Sequence, residues 1–450
     1  MEINHLFNNN LKQYSSYNNI RAISCVTDGL KNSSRKIIWF SKDIKGYVKV
    51  SSHKSYIAMQ SQYLHNEDIL PDVMIDFARD FSNHIPLFTP LSAVGSRTKP
   101  SASSPRYSNI KKSKYFDLLF NKDDEEILVK QFFEGVEIEP KFLVPTLPLI
   151  LINGSNGIGT GFYQNIFPRN PIDVINVIKK HIKGGNIDDI DIKPDFKGYK
   201  GEIELVSKEH NKKQWLFRGI YKKANNGKSL EILEVTPKVT NEDMLKHLNN
   251  LKDKKVIKDY KDKSLGDNFH YIVNLYPDFF EVNKDKNIHK ILGIETTEVE
   301  TFTCATKDNF IKVYKDEIEI LKDYIDAKLK SIELRKNNIL NNLKQDYDFL
   351  CARIKFIALI VKKQLDISNR KKAEITEDMI TKFSFNKDYI DSLLSTPIYL
   401  LTNEKIMDLL KQKENLEKKI KEIEEKTYVG MWGEDIVEFL KVFKEDSSAK

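Results

Sequence analysis

Four consecutive residues, Ser104-Pro105-Arg106-Tyr107, hold the most specific chemistry in this chain. A tyrosine that attacks a phosphodiester must give up its proton. A free phenol ionises near pH 10, so holding the phenolate at neutral pH costs about 4 kcal/mol. A neighbouring cation or a metal lowers that cost. Arg106 is a permanent cation beside Tyr107, suited to the extra negative charge of a pentavalent phosphorane. The small residues upstream, in LSAVGSRTKPSASSPRYSN, allow close approach of backbone to a phosphodiester strand. Taken alone, one Arg-Tyr pair among 19 tyrosines reads as packing plus a surface charge, so its neighbours in the sequence decide its meaning.

Those neighbours are cationic. Arg21-Ala22-Ile23 is followed by Asp28-Gly29-Leu30-Lys31 and Arg35-Lys36, a cluster around a turn that opens a helix and suits phosphate contacts. Tyr63-Leu64-His65-Asn66-Glu67 and Gly95-Ser96-Arg97 come next. Glu139-Pro140-Lys141-Phe142-Leu143-Val144-Pro145 then leads through Pro148 into a glycine-rich run, Leu151 to Gly161. That run lacks the Lys-Ser/Thr of a P-loop, and its glycine spacing does not match a dinucleotide fingerprint, which argues against an ATP or NAD site. Ile158, held on a tight glycine turn, is suited to wedging between base pairs, where unstacking costs a few kcal/mol and yields a bent duplex. Asp188, Asp189, Asp191 and Asp195 superficially resemble a metal cluster, but they lie in a Gly- and Pro-flanked linker and read as a solvated loop.

The elements that must position these residues fall into three regions. The chain has 450 residues, too many for one ordinary domain, and 40% hydrophobic with 30% charged residues suits large buried cores. Nothing approaches a membrane-spanning apolar run, and the N-terminal stretch lacks the form of a secretory signal. Cys25, Cys304 and Cys351 lie far apart, which argues for a reducing interior and against a disulfide scaffold or metal cluster. The net charge of +7 is compatible with a polyanionic partner but does not demand one. Residues 1–140 mix short helices with the polar loop that carries Tyr107. Residues 141–310 read as α+β, with strand-like runs at Leu147–Ile152, Gly201–Val206 and Leu230–Val235. Residues 311–450 are helical. From Ile318 apolar residues recur at three- and four-residue steps, through Leu321, Ile325, Leu329, Ile332, Ile339, Leu343, Tyr347, Leu350, Ile354 and Ile357. A second helix, N-capped by Thr402, sets Ile406, Leu409, Leu416, Ile420, Ile423 and Thr427 on a heptad seam, with Lys413 at one seam position. An antiparallel helix pair with a small domain at its tip is the expected arrangement.

Taken in order, these segments resemble the cleavage core of type IIA DNA topoisomerases. RAISCVTDGLKNSSRK is similar to the family's R-A-I-P…D-G-L-K-P…R-R/K stretch, YLHNED to its Y-H-H-G-E, VGSR to its F-G-S/T-R, and SPRY to its active-site A/S-x-R-Y. LVPTLPLILINGSNGIGTG resembles the V-P…P…L-x-N-G…G-I-G-x-G wedge loop, and LLSTPIYLLTNEKIMDLLKQKENLEKKIKEIEE resembles the returning coiled coil. The resemblance runs from about residue 15 to the end. Departures stand at Leu64, in place of the first histidine of the pair, and at Asn66, Asn32 and Ser24, in place of a glycine and two prolines.

The resemblance implies a mixed α/β, helix-rich fold: a winged-helix domain bearing Tyr107, an α/β tower, and a long antiparallel coiled coil ending in a helical dimer gate. It implies a transient double-strand break in which Tyr107 forms a 5′-phosphotyrosyl bond. Arg106, His65 and Arg21 would support the transferring phosphate, Lys31, Arg35, Lys36 and Arg97 would contact the DNA backbone, and Ile158 would help bend the duplex. Magnesium would be held mainly by a partner's metal-binding TOPRIM module and ATP by a partner's ATPase module, with no metal ligands in this chain. The expected partners are double-stranded DNA, a second copy of the chain through the coiled-coil gate, and a separate large subunit carrying ATPase and TOPRIM, with no membrane. The closest architecture is the medium subunit of the split topoisomerase of T-even-type phages, which implies the cytoplasm of a bacterial or phage-infected cell. A catalytically silent DNA-binding homologue of the same fold is the alternative, with the altered histidine motif as its support.

Overall fold

The computed structural model describes residues 6–448 except 225–227, 284–286, 369 and 401. The chain divides into two compact units, Met1–Leu329 with Glu434–Lys450, and Lys330–Gly433.

In the first unit, helices α1 (Lys12–Ala22), α2 (Asn32–Ser41), α3 (Val50–Gln60) and α4 (Leu70–Ala78) precede a small sheet. Strands β1 (Val48–Lys49), β2 (Phe88–Pro90) and β3 (Asn109–Lys112) form that sheet with β3 in the middle, both pairings antiparallel. Helix α4 buries Leu70, Met74, Ile75 and Ala78, a spacing that keeps one face inward, and has a proline in its first turn, where the missing N–H costs nothing. Ile37, Ile38, Val50, Ile57, Phe88 and Ile110 complete the core beneath the sheet. This is the winged helix.

The tower follows. Strands β4 (Ser155–Ile158), β5 (Tyr163–Ile166), β6 (Glu202–Glu209), β7 (Lys212–Arg218) and β12 (Glu295–Thr301) make an antiparallel sheet in the order β4-β5-β12-β7-β6. A second antiparallel sheet has the order β8 (Ile220–Lys223), β9 (Ser229–Glu234), β11 (Tyr271–Asn274), β10 (Asp259–Asp262). Leu230 and Ile232 on β9 alternate inward with Tyr271 and Val273 on β11, against Met244 and Leu248 of helix α6 (Asn241–Asp253). The expected strands at 201–206 and 230–235 correspond to β6 and β9. The expected strand Leu147–Ile152 does not form: after Pro148, Leu149–Ile152 is one helical turn with all four side chains buried. A short unbroken apolar run fits a buried helical turn as well as a buried strand.

One ionic cluster underlies the tower. Arg169, preceding helix α5 (Pro171–Ile182), is fully buried, with its Nη1 2.8 Å from Glu300 Oε1. Glu300 also accepts from the Trp215 indole at 2.9 Å and the Phe167 amide at 2.9 Å. Nearby, Lys213 pairs with Glu317 at 2.7 Å. The cluster joins β12 to β7 and to the chain leaving β5, and so sets the base of the β4–β5 hairpin.

Helix α7 (Glu317–Val361) begins in this unit, burying Leu321 and Ile325, and continues into the second. In the second unit it runs antiparallel to α10 (Asn403–Glu425): Lys336 Nζ donates to Glu424 O at 2.9 Å, while Tyr347 Oη donates to Glu417 Oε1 at 2.6 Å. Thr402 caps α10 by accepting from the Lys405 amide at 3.2 Å. Of the seam residues only Leu409 is fully buried, and Lys413 sits 5.4 Å from the Tyr347 ring centroid. Leu350, Phe356, Ile357 and Leu409 pack with Ile375 and Met379 of α8 (Lys372–Thr381) and Ile390 and Leu393 of α9 (Lys387–Leu394) in one core. Within the first unit the final helix, α11 (Tyr428–Ser448), sets the Phe439 and Phe443 rings, both tilted, against Tyr115.

Candidate nucleic-acid cleavage site

Tyr107 closes a tight turn immediately before β3. Its amide donates to Ser104 O at 2.9 Å, and Ser108 Oγ donates to Ser103 O at 3.1 Å. The Val50 amide donates to Ser108 O at 2.9 Å, tying the turn to the start of α3. The backbone is thus held at several points while the side chain is left free. Tyr107 is 71% exposed, and Arg106 is exposed beside it. Among the described residues none hydrogen-bonds the Tyr107 hydroxyl.

Arg21 and His65 lie in one cluster with two tyrosines. The Tyr17 hydroxyl hydrogen-bonds His65 Nε2, and the Arg21 guanidinium carbon is 5.6 Å from the Tyr17 ring centroid. Tyr63 meets the imidazole edge-on at 5.8 Å. Partial burial, with Arg21 and Lys36 adding to it, holds the His65 imidazole below its ordinary pKa and so favours the neutral ring. Leu64, where the family carries a histidine, is 69% exposed.

The β4–β5 hairpin that carries Ile158 is packed onto α1. At Gly157 a Cβ would stand 2.0 Å from the Ala22 backbone oxygen, so that position requires glycine; at Gly159 one would stand 2.3 Å from Asn19 Oδ1, so the Asn19 side chain would have to shift. Asn19 Oδ1 accepts from the Thr160 amide at 2.6 Å, and Asn19 Nδ2 donates back to Thr160 O at 3.2 Å. Between the two glycines Ile158 is 79% exposed. Buried Gln164, on the returning strand, accepts from the Ser24 amide at 3.0 Å and donates to Thr303 O at 2.7 Å. Ser24 therefore supplies an amide hydrogen that the family's proline lacks.

The expected phosphate contacts divide. Lys31, at the N-cap of α2, is half-buried and has no acidic partner among the described residues. Burial lowers its pKa from the usual lysine value. Arg35, Lys36 and Arg97 each have an acidic partner within the fold, Arg35 and Lys36 buried and Arg97 partly exposed. Arg35 Nε donates to the fully buried Asp28 carboxylate at 2.6 Å. Asp28 also accepts from the Leu30 and Leu143 amides, at 2.9 and 3.0 Å. Lys36 Nζ, also buried, bonds Glu139 at 2.8 Å and Ser61 O at 3.0 Å. Arg97 is clamped by Glu234 at 2.8 Å and Gly198 O at 2.7 Å, joining the tyrosine loop to the tower. A buried cation that already satisfies an acid cannot leave it for a phosphate without stranding that acid.

Sequence reading missed Tyr17, Asn19 and Gln164, whose partners lie far away in the chain. The alternating glycines 157 and 159 were the available sign of a close backbone approach. In the aspartate run, Asp188 pairs with Lys322 and Asp191 with Lys213, while Asp195 accepts from Asn170 Nδ2 at 3.2 Å. Among the described residues no group of three or more His, Cys, Asp or Glu is placed to hold a metal ion.

A winged helix that exposes an Arg-Tyr pair, beside a tower whose hairpin exposes an isoleucine, has the architecture of a type IIA topoisomerase cleavage core. The chain matches the family model for the A-type subunits of DNA gyrase/topoisomerase IV over residues 21–436, and it belongs to that family. It is 31% identical over 476 aligned positions to DNA topoisomerase 2 of Plasmodium falciparum (isolate K1 / Thailand), covering 95% of this chain and 34% of that protein. Against mouse DNA topoisomerase 2-beta the identity is 25%, over 97% of this chain and 30% of that protein. The chain thus spans about a third of the length of these curated relatives. The crystal structure of the Plasmodium falciparum topoisomerase II DNA-binding, cleavage and re-ligation domain superposes with a TM-score of 0.88 at 29% identity, covering 98% of this chain and 65% of that one.

Proposed function

We propose that this chain breaks and rejoins DNA as the cleavage subunit of a type IIA topoisomerase. The observation that carries the reading is the exposed Tyr107, next to exposed Arg106 on a turn anchored at the start of a wing strand. Tyr107 Oη attacks a backbone phosphorus, forming a 5′-phosphotyrosyl ester as the bond to the 3′ oxygen breaks. The phenol proton is lost and the departing oxygen leaves as a 3′-hydroxyl, so the phosphodiester energy is retained and religation runs the step backwards. Arg106 stabilises charge on the phosphoryl oxygens, with His65 and Arg21 supporting it. Lys31 contributes to backbone contact, and Ile158 bends the duplex.

Two copies of the chain would act together through the coiled-coil gate, each cutting one strand. Magnesium and ATP would be held by a separate large subunit with TOPRIM and ATPase modules, the arrangement of the T-even-type phage enzyme, in a bacterial or phage-infected cytoplasm. Among the described residues no helix is long and apolar enough to cross a membrane. A silent DNA-binding scaffold is the second reading, favoured by Leu64 in place of a histidine.

The deciding experiment incubates the chain with supercoiled plasmid, magnesium and a TOPRIM-bearing partner, followed by a detergent quench. Protein-linked double-strand breaks with wild type and none with Tyr107→Phe are expected. DNA binding without an adduct from either version would refute the catalytic reading in favour of the scaffold.

A further inference from the structure

We infer that Tyr17 is a positioning residue that orients the His65 imidazole and sets its tautomer, with the proton on Nδ1 and Nε2 accepting from the Tyr17 hydroxyl. The inference rests on the reading of His65 as a support for the scissile phosphate, and extends it to a residue outside the family motifs.

The geometry is local and specific. Tyr17 lies on α1, one turn before Arg21, and its hydroxyl meets His65 Nε2 across 48 residues of sequence. His65 follows α3 in an irregular segment, so no helix or strand constrains its ring. The ring is held by Tyr17 at one nitrogen and by Tyr63 at its edge. Leu64 is turned out to solvent and gives the imidazole no polar neighbour.

The charges around the ring favour its neutral form. Arg21 and Tyr17 face it from α1, Lys36 from α2, and Tyr63 from the same segment. Lys36 is itself engaged by Glu139, and the following acids, Glu67 and Asp68, are drawn to Lys54 on α3. Two cations therefore act on an imidazole that has no carboxylate partner among the described residues, which favours the neutral ring. A neutral imidazole has one acceptor nitrogen and one N–H donor. A hydroxyl donating to Nε2 places the ring hydrogen on Nδ1, where it can donate to an anionic phosphate oxygen. The opposite tautomer would direct its only N–H at the tyrosine and present a lone pair to the phosphate. An unpartnered histidine would divide its time between the two.

The test has two arms. Nitrogen-15 spectra of histidine-labelled chain, without DNA, report the tautomer, with His65 assigned among the 9 histidines by His65→Gln. Wild type is expected to show Nδ1 protonated and Nε2 unprotonated, and Tyr17→Phe a mixture. Tyr17→Phe should keep the fold, because the residue is exposed on α1. In the trapping assay with the TOPRIM-bearing partner, Tyr17→Phe should slow adduct formation about tenfold, the scale of one hydrogen bond. Its acid limb should move to higher pH, because a donor that favoured the neutral ring has been removed. A wild-type ring protonated on Nε2 overturns the inference, as does a Tyr17→Phe chain with unchanged spectrum and unchanged pH profile. Absence of any wild-type adduct overturns the functional reading instead, and the DNA-free spectra still decide whether Tyr17 orients His65.

Discussion

Arg35 and Lys31 stand four residues apart in one basic stretch, yet the structure predicts opposite consequences for their removal. In Arg35→Met the guanidinium is lost while Asp28 stays fully buried. Breaking a buried pair from one side costs about 3–5 kcal/mol. Asp28 retains the Leu30 and Leu143 amides, so the loss should fall near the lower end, about 3 kcal/mol. The salt dependence of duplex affinity should be unchanged, because this charge does not reach solvent. Lys31→Ala removes a half-buried cation with no acidic partner among the described residues, and should alter stability by no more than about 0.5 kcal/mol. If Lys31 neutralises one phosphate, the slope of log affinity against log salt should become shallower by about 0.9 per chain. The assays are denaturant unfolding without DNA and duplex titrations across a range of salt. An Arg35→Met chain that keeps its stability to within about 1 kcal/mol and loses about one unit of salt slope would refute this division between buried and phosphate-facing cations.

Two further outcomes follow, one from the winged helix and one from the tower hairpin. Burial pushes the His53 imidazole, hydrogen-bonded to Ser41 Oγ at 2.8 Å, down to about 4. The unfolded chain then binds more protons between that value and the ordinary 6.5, so stability is complete above about pH 6.5 and falls by up to about 3 kcal/mol on acidification towards pH 4. Urea unfolding at pH 7.5 and 4.5 should show a smaller difference for His53→Gln, and an identical pH dependence would count against this origin. Gly157→Ala places a methyl 2.0 Å from Ala22 O, and should cost about 1–3 kcal/mol and pull the hairpin off α1. Duplex bending measured by end-to-end energy transfer should fall for both Gly157→Ala and Ile158→Ala, with stability lost only in the former. Wild-type bending by Gly157→Ala would show that the close packing does not position the wedge.

Much of this protein is legible in its sequence alone. The order of the motifs around Arg21, His65, Tyr107 and Ile158 carried the family, and the three- and four-residue steps of α7, with the Thr402 cap of α10, carried the helical pair. These signals are local: a cap, a helical period or a Pro-Arg-Tyr triplet is written in adjacent residues, whatever lies elsewhere. What the sequence could not separate were cations of the same kind. Lys31, Arg35, Lys36 and Arg97 look alike along the chain, but Glu139 meets Lys36 across 103 residues and Glu234 meets Arg97 across 137. Tyr17 stayed invisible for the same reason, and the four apolar residues after Pro148 fitted two backbone shapes equally well. Whether a charge faces a phosphate or a buried acid depends on which distant segment packs over it, and packing is settled by the whole buried core rather than by neighbours in the chain.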